Sequence, residues 1–325
     1  MRGVGLLILL LTALLNAKAA PKPRLIFHTT KPTALSPPEP IFPKGLNTLV
    51  IPIKRAGNLI IIEAQVDSVA GNFVLDTGAP YLVLNATYFR NMPNYSDQEA
   101  NGVNGNSAGT FRTEVKNFSL GLDLSFKRLT ADVADLSAIE NSKHIKILGL
   151  LGTQIFRKLA ITVDHFHNVL YIHKLDSKGE IPAGERIFNN PEMTTPFKYM
   201  NDVIFLQGSI NQKNLWFAFD TGAECNLLSA DAPKNVMSVM KNINTSTVIG
   251  VGGAGKNQLV YANFKELFIG NYRFLNNRVL ITNLDHLGRA YGNSMDAVLG
   301  YDFFARGIFT INFVKKEFEM YIYRH

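Results

Sequence analysis

Short apolar runs, each closed by a polar break, recur along most of this chain. Asn58 to Val66 (NLIIIEAQV) and Val203 to Ile210 (VIFLQGSI) are rich in β-branched and aromatic residues and predict strands. Each is followed by a short polar break and then by a second apolar run that ends in the same turn, FVLDTGA in one case and FAFDTGA in the other. The pattern predicts a hairpin leading into that turn. Later strands are predicted at Phe118 to Leu122, at Ile161 to Asp164 with Val169 to His173, at Glu266 to Gly270, and at Phe309 to Phe313 with Phe318 to Tyr323. Helical periodicity is scarce and is confined to Thr153 to Leu159, Tyr301 to Gly307 and Met237 to Asn242. Strand after strand with so little helix places the chain in the all-β class.

The runs repeat as blocks. Asp76-Thr77-Gly78-Ala79 recurs as Asp220-Thr221-Gly222-Ala223, and 220 − 76 = 144. The same offset relates Pro52 to Pro196, Lys54 to Lys198, Phe73 to Phe217 and Ala86 to Ala230. Past a small insertion the offset becomes 148, relating GVNG (Gly102 to Gly105) to GVGG (Gly250 to Gly253) and LLG (Leu150 to Gly152) to VLG (Val298 to Gly300). The chain is thus an internal two-copy repeat with units of about 130 residues, each better buried against its twin than alone.

Composition adds the organisation around these halves. Arg2, the apolar stretch Val4 to Leu15 and the A-x-A site Ala17-Lys18-Ala19 read as a signal peptide over residues 1–19, with a mature chain starting at Ala20. An exported protein, periplasmic or secreted, is expected. No other stretch approaches about 18 apolar residues, so stable membrane insertion is not expected. Residues 20–47 are rich in Pro, Lys and Thr without periodicity and predict an extended arm with at most one strand. The hydrophilic stretch 176–195 reads as a linker between a first lobe, 48–175, and a second, 196–325. The formal charge of +7 falls to +5 once Arg2 and Lys18 leave (7 − 2 = 5), and the remaining Lys and Arg are scattered. Nothing in that distribution calls for nucleic acid. Cys225 is the sole cysteine, so no disulfide can close within the chain and the core alone must hold the fold.

A single Asp-Thr-Gly is most simply a turn in which Asp caps its own backbone two residues on. Its duplication at a repeat offset, with the downstream block duplicated too, suggests a catalytic pair assembled from two halves. Apolar-apolar-DTGA, a Gly-rich hairpin, and apolar-apolar-Gly before a short helix together resemble the aspartic peptidases, the pepsin and retropepsin superfamily. Alanine after DTG is similar to the retropepsins, and two halves in one chain to pepsin. The likeness is nearest to bacterial exported retropepsin-like proteases with tandem domains. It implies a bilobal acid-protease (double-ψ) fold, with two retropepsin-like β-barrel lobes, a short helix in each, and a cleft between them.

The resemblance implies Asp76 and Asp220 as the catalytic dyad. Two carboxylates within hydrogen-bonding reach cannot both ionise, so they share one proton. The ionised member can then take a proton from water while the other donates to a scissile carbonyl. By the same resemblance Thr77 and Thr221 lock the two turns through crossed side-chain to backbone hydrogen bonds. Gly78 and Gly222 let the backbone come close, and Gly152 and Gly300 lie on strands that pass behind the turns, where a side chain would collide.

Gly102 to Thr110 (GVNGNSAGT) and Gly250 to Gln258 (GVGGAGKNQ) lack the tyrosine of pepsin-like flaps and resemble retropepsin flaps, plain surface hairpins being the other reading. Gly105 and Gly253 would then face substrate, together with Ala79, Ala223 and Glu224 beside the dyad. Such a cleft grips an extended polypeptide by backbone pairing. Pro80 and Tyr81 against Glu224 and Cys225 make its two sides unequal. In retropepsins an acidic residue in the place of Glu224 contacts substrate amides, while a solvated Glu at a loop edge is the alternative. Cys225 reads as a reactive thiol beside the cleft or as a small buried residue. His165, His167 and His173 lack the Asp, Glu or Cys spacing of a metal centre, so neither metal nor cofactor is expected. Trp216, next to FAFD, reads as core. The function expected is that of an aspartic endopeptidase, a monomeric pseudodimer hydrolysing extended or unfolded polypeptides. The alternative is an exported peptide-binding or scaffold protein that keeps the cleft without turnover.

Overall fold

The computed structural model describes residues 37–97, 100–102, 105–107, 110–121, 124–249, 256–284 and 295–323. The signal peptide expected over 1–19 and the first part of the arm lie outside the described residues. The first half contributes β1 (Thr48–Ala56), β2 (Leu59–Val66), β3 (Val69–Leu75), β4 (Leu82–Asn85), β5 (Ser96–Asp97), β6 (Ala100–Gly102), β7 (Gly105–Ser107), β8 (Phe111–Leu120), β9 (Leu124–Ala134), β10 (Gly149–Leu151), β11 (Leu159–Asp164) and β12 (Val169–Lys174). The second contributes β13 (Met193–Met200), β14 (Val203–Ile210), β15 (Lys213–Phe219), β16 (Leu227–Ser229), β17 (Lys241–Ile249), β18 (Lys256–Ile269), β19 (Tyr272–Thr282), β20 (Ala297–Leu299), β21 (Gly307–Asn312) and β22 (Glu317–Ile322).

The two halves share one topology. β2 and β3 form a hairpin, β3 runs parallel to β10, β4 lies antiparallel to β10 and parallel to β9, and β8 folds back on β9. The same set recurs as β14 with β15, β15 parallel to β20, β16 antiparallel to β20 and parallel to β19, and β18 with β19. This is the bilobal all-β architecture of the acid proteases, two barrel-like lobes with few and short helices. None of the described helices is long and apolar enough to cross a membrane.

A third layer joins the lobes. β1, β12, β11, β21, β22 and β13 line up in that order as a six-stranded antiparallel sheet. β11 and β21 meet at its centre, where Thr162 lies opposite Thr310 with their hydroxyl oxygens 2.8 Å apart. Every residue of β11 and β21 is buried, as their near-continuous apolar runs LAITVD and GIFTIN require. Phe219, the residue before Asp220, packs against Phe303, Phe304, Phe309 and Phe318 with ring centroids 4.8 to 6.3 Å away. This aromatic cluster is the floor under the second DTG turn, and edge-to-face pairs of this kind add about 0.5–1.5 kcal/mol each beyond burial.

Local expectations needed several corrections. The helix expected over Met237 to Asn242 runs instead over Lys234–Met237, because Lys241 onward pairs with β18 (Lys241 opposite Asn263) and ladder pairing outweighs local propensity. Of Thr153 to Leu159 only Thr153–Phe156 is helical, as a 3₁₀ turn, and Leu159 opens β11; of Tyr301 to Gly307 only Tyr301–Phe304 is helical. The helix Ser137–Lys143 had no periodic signal. Its first turn is held by the Asp135 carboxylate accepting from Ser137 N–H at 2.9 Å, and its Ile139 is buried. β8 starts at Phe111, well before Phe118, and the last residues of the expected linker already belong to β13, Met193 pairing with Met320.

Candidate active site

Each DTG turn is strung between strands of its own lobe. Asp76 N–H donates to Leu151 O and Asp220 N–H to Leu299 O, both at 3.0 Å. Thr153 N–H donates to Ala79 O and Tyr301 N–H to Ala223 O, both at 2.9 Å. β10 and β20 therefore run directly behind the turns, and Gly152 and Gly300 stand where they cross. A Cβ on Gly152 would lie 2.7 Å from Ala79 O, and one on Gly300 2.6 Å from Ala223 O, closer than side chains approach backbone oxygens.

The threonines cross from lobe to lobe. Thr77 Oγ1 donates to Phe219 O at 2.9 Å and accepts from Thr221 N–H at 3.0 Å. Thr221 Oγ1 donates to Leu75 O at 2.7 Å and accepts from Thr77 N–H at 3.1 Å. All four bonds are buried, so each hydroxyl satisfies one donor and one acceptor that water cannot reach.

This lock brings the carboxylates face to face. Asp76 Oδ1 accepts from Gly78 N–H at 2.9 Å and Asp220 Oδ1 from Gly222 N–H at 2.7 Å. Each glycine also lies against the opposite aspartate: a Cβ on Gly222 would be 2.8 Å from Asp76 Cγ, and one on Gly78 would overlap the Asp220 carboxylate. Asp76 is 2% exposed and Asp220 0%, and Asp220 Oδ2 has no hydrogen-bond partner among the described residues. Burial holds both carboxyls above the usual carboxylate range. The Asp220 charge adds to the effect on Asp76, and the backbone N–H groups of the turns draw both part of the way back. A pair so placed retains a proton where isolated carboxylates have lost theirs.

Each lobe's first hairpin turn grips the other lobe. Asn58 Nδ2 donates to Glu224 O at 2.9 Å, and Thr153 Oγ1 donates to Asp202 O at 2.6 Å. Asn58 and Asp202 are repeat equivalents, since 58 + 144 = 202. The Asp202 carboxylate takes Arg157 Nη1 at 2.6 Å, and the Glu224 carboxylate pairs with Lys143 Nζ at 2.5 Å, with side chains only 11% and 16% exposed. Glu224, expected to contact substrate, has its carboxylate engaged between lobes by the cation at the end of Ser137–Lys143.

Tyr81, which follows the first turn, is 6% exposed and carries the Arg112 guanidinium 4.6 Å from its ring centroid. Arg112 in turn makes a two-pronged bond to buried Asp132 at 2.8 and 3.2 Å. Lys143, Arg157, Asp202, Arg112 and Asp132 were not expected at the site. The only signal for any of them is the repeat offset that makes Asp202 the counterpart of Asn58.

The remaining expectations fall as follows. Ala79 and Ala223 are buried beside their aspartates. Gly105 opens β7 and pairs with Gly102 across the β6–β7 hairpin. Gly253 lies outside the described residues, beyond the point where the β17–β18 ladder reaches Ile249 opposite Lys256. Burial pushes the Cys225 thiol up to about 12, so it is no thiolate at neutral pH and fits the buried-residue reading. His173 is held between Thr48 Oγ1 at 3.0 Å and Thr162 Oγ1 at 3.2 Å, and burial lowers it to about 4. His167 Nδ1 lies 2.7 Å from Asp164 Oδ2. Among the described residues no group of three or more His, Cys, Asp or Glu could hold a metal ion. Trp216 is half-buried: one side packs against the buried cluster of the second lobe and the rest reaches solvent.

Two barrel lobes locked by crossed threonines, with one buried aspartate from each meeting at the seam, form the arrangement that the resemblance to aspartic peptidases implies. Residues 206–303 match the aspartyl protease family profile, a segment running from β14 through Asp220 to Phe303. Over that segment, about a third of its length, the chain is similar to the aspartyl proteases. Among solved structures it is similar to the basic 7S globulin from soybean, at 10% identity over 85% of this chain and 95% of that one, with a TM-score of 0.45. No curated protein matches the chain.

Proposed function

We propose that the protein is an aspartic endopeptidase whose Asp76 and Asp220 activate one water between the lobes. The observation that carries this reading is the face-to-face burial of the two carboxylates, each against the other lobe's glycine. One carboxyl stays protonated and donates to the scissile carbonyl, while the other, ionised, takes the proton of the attacking water. A tetrahedral diol forms and collapses with no covalent enzyme intermediate. Thr77 and Thr221 keep the carboxylates in register, and the turn N–H groups fix the oxygens that do not react.

The reading extends to an extended or unfolded polypeptide as substrate, gripped as an added strand, and to a monomeric pseudodimer that acts after export and loss of residues 1–19. Cleavage of an unfolded protein by residues 20–325 across about pH 3–8 tests it, with Asp76→Asn and Asp220→Asn measured separately. Loss of hydrolysis in each single variant is expected. A folded wild type that cleaves at no pH, or a variant that keeps half the activity, overturns the shared dyad, and the first result favours a peptide-binding protein.

A further inference from the structure

Away from the dyad, the second lobe carries a groove of about 580 Å³, within the size range of small-molecule sites. It is built on one face of the sheet. Gln207 and Trp216 are cross-strand partners on β14 and β15, Ser209 pairs with both Asn214 and Phe268, and Lys198 lies on β13 alongside. Phe268 is 41% exposed, and the half-exposed indole of Trp216 has the Lys198 ammonium 4.7 Å from its centroid. The lining thus offers two flat apolar rings, neutral amides and a hydroxyl between them, and a single cation. No carboxylate is among its described lining residues.

The first lobe shows what the repeat needs at these positions. Subtracting 144, Lys198, Gln207 and Trp216 correspond to Lys54, Glu63 and Asn72. There Lys54 is neutralised by Glu63 at 2.5 Å, and Asn72 donates to Lys146 O at 3.0 Å. Phe268 pairs with Ser209, whose counterpart Gln65 (209 − 144 = 65) pairs with Ser119, so the first lobe has a serine where the second has this ring. The fold therefore requires neither ring nor a free lysine here. In the second lobe the ion-pair partner has become an amide and two aromatic faces have been turned outward.

We propose that this groove binds an oligosaccharide, with preference for sugars that carry a carboxylate. The C–H faces of pyranose rings stack on Trp216 and Phe268, as flat apolar surfaces do. Gln207, Asn214 and Ser209 supply both donors and acceptors to neighbouring hydroxyls. Lys198, a long flexible side chain, swings from the indole to the sugar carboxylate. An added peptide strand fits less well, because β14 is already paired with β13 and β18 on one side and with β15 on the other.

Trp216 is the chain's only tryptophan, so fluorescence excited selectively at tryptophan, to the red of tyrosine absorption, reports this groove alone. The full chain is titrated with trigalacturonate, with cellotriose and with an unfolded polypeptide, in wild type, Gln207→Ala, Phe268→Ala and Asp76→Asn. The expected result is a saturable change with trigalacturonate, weaker with cellotriose. It should weaken about tenfold in the Gln207 and Phe268 variants and stay unchanged in Asp76→Asn. Unaltered urea midpoints show that both groove variants are folded. No saturable change with either sugar up to about 10 mM overturns the proposal. So does equal affinity in the groove variants, or a response to the polypeptide alone, which would mark a substrate-binding surface instead.

Discussion

Replacing Thr77 by Val keeps shape and removes one hydroxyl from the lock between the lobes. Two groups then lose their partners, Phe219 O and Thr221 N–H, both in residues with essentially no exposure. A buried polar group left unsatisfied costs about 1–3 kcal/mol, so the variant should lose about 4 kcal/mol, a large share of the about 5–15 kcal/mol that holds a typical domain. Thr77→Ser retains both bonds and gives up one methyl, at about 1 kcal/mol. Urea denaturation of both variants at one pH, compared through midpoints at constant slope, separates the two. Hydrolysis by Thr77→Val should be slowed yet measurable, since the dyad is loosened rather than removed. A Val variant no less stable than the Ser variant would refute the reasoning, because the hydroxyl would then contribute nothing beyond its volume.

Three other outcomes are expected. Lys143→Met should destabilise by about 2 kcal/mol by leaving Glu224 partly buried and unpaired, whereas a higher KM at unchanged stability would show that Glu224 serves substrate instead. His173 stays neutral in the folded protein down to about pH 4, while the unfolded chain protonates it near 6.5, so its stabilising effect is complete above pH 6.5 and is lost as pH falls from 6.5 to 4. Over that window wild type should lose about 3 kcal/mol relative to His173→Gln in urea denaturation, and parallel pH curves would contradict the assignment. Gly300→Ala should lower the urea midpoint by the equivalent of about 3 kcal/mol, because its Cβ meets the backbone oxygens of the second turn; an unchanged midpoint would mean that β20 can shift freely.

Much of the architecture could be read from the chain because it is stated twice. The DTG turns, the glycines behind them and the hairpins before them are local features, and the offsets 144 and 148 tie each to its copy. What could not be read depends on how one lobe docks on the other. Lys143 lies 81 positions from Glu224 (224 − 143 = 81), and Arg157 lies 45 from Asp202, with no periodicity linking either pair. Trp216 was legible only in part: it packs on the core as its apolar neighbours suggest, yet it lies where its face of β15 passes from buried Ala218 to exposed Asn214. The helix Ser137–Lys143 was hidden by its brevity, being held by one aspartate bond just ahead of its first turn and one buried isoleucine.

The pairing of β11 with β21 has a geometric consequence. Thr162 and Thr310 are repeat equivalents, 310 − 162 = 148, and they pair with each other; Ile161 pairs with Ile311 and Val163 with Phe309, which are equivalents taken crosswise. The local two-fold axis therefore passes between the two hydroxyls, as it does between Thr77 and Thr221. An edge that lies on such an axis is self-complementary. The first half, separated from the second, would present to another copy of itself the same hydrogen-bonding edge that it now presents to its twin, so the covalent link sets the partner of each half rather than the way the halves meet.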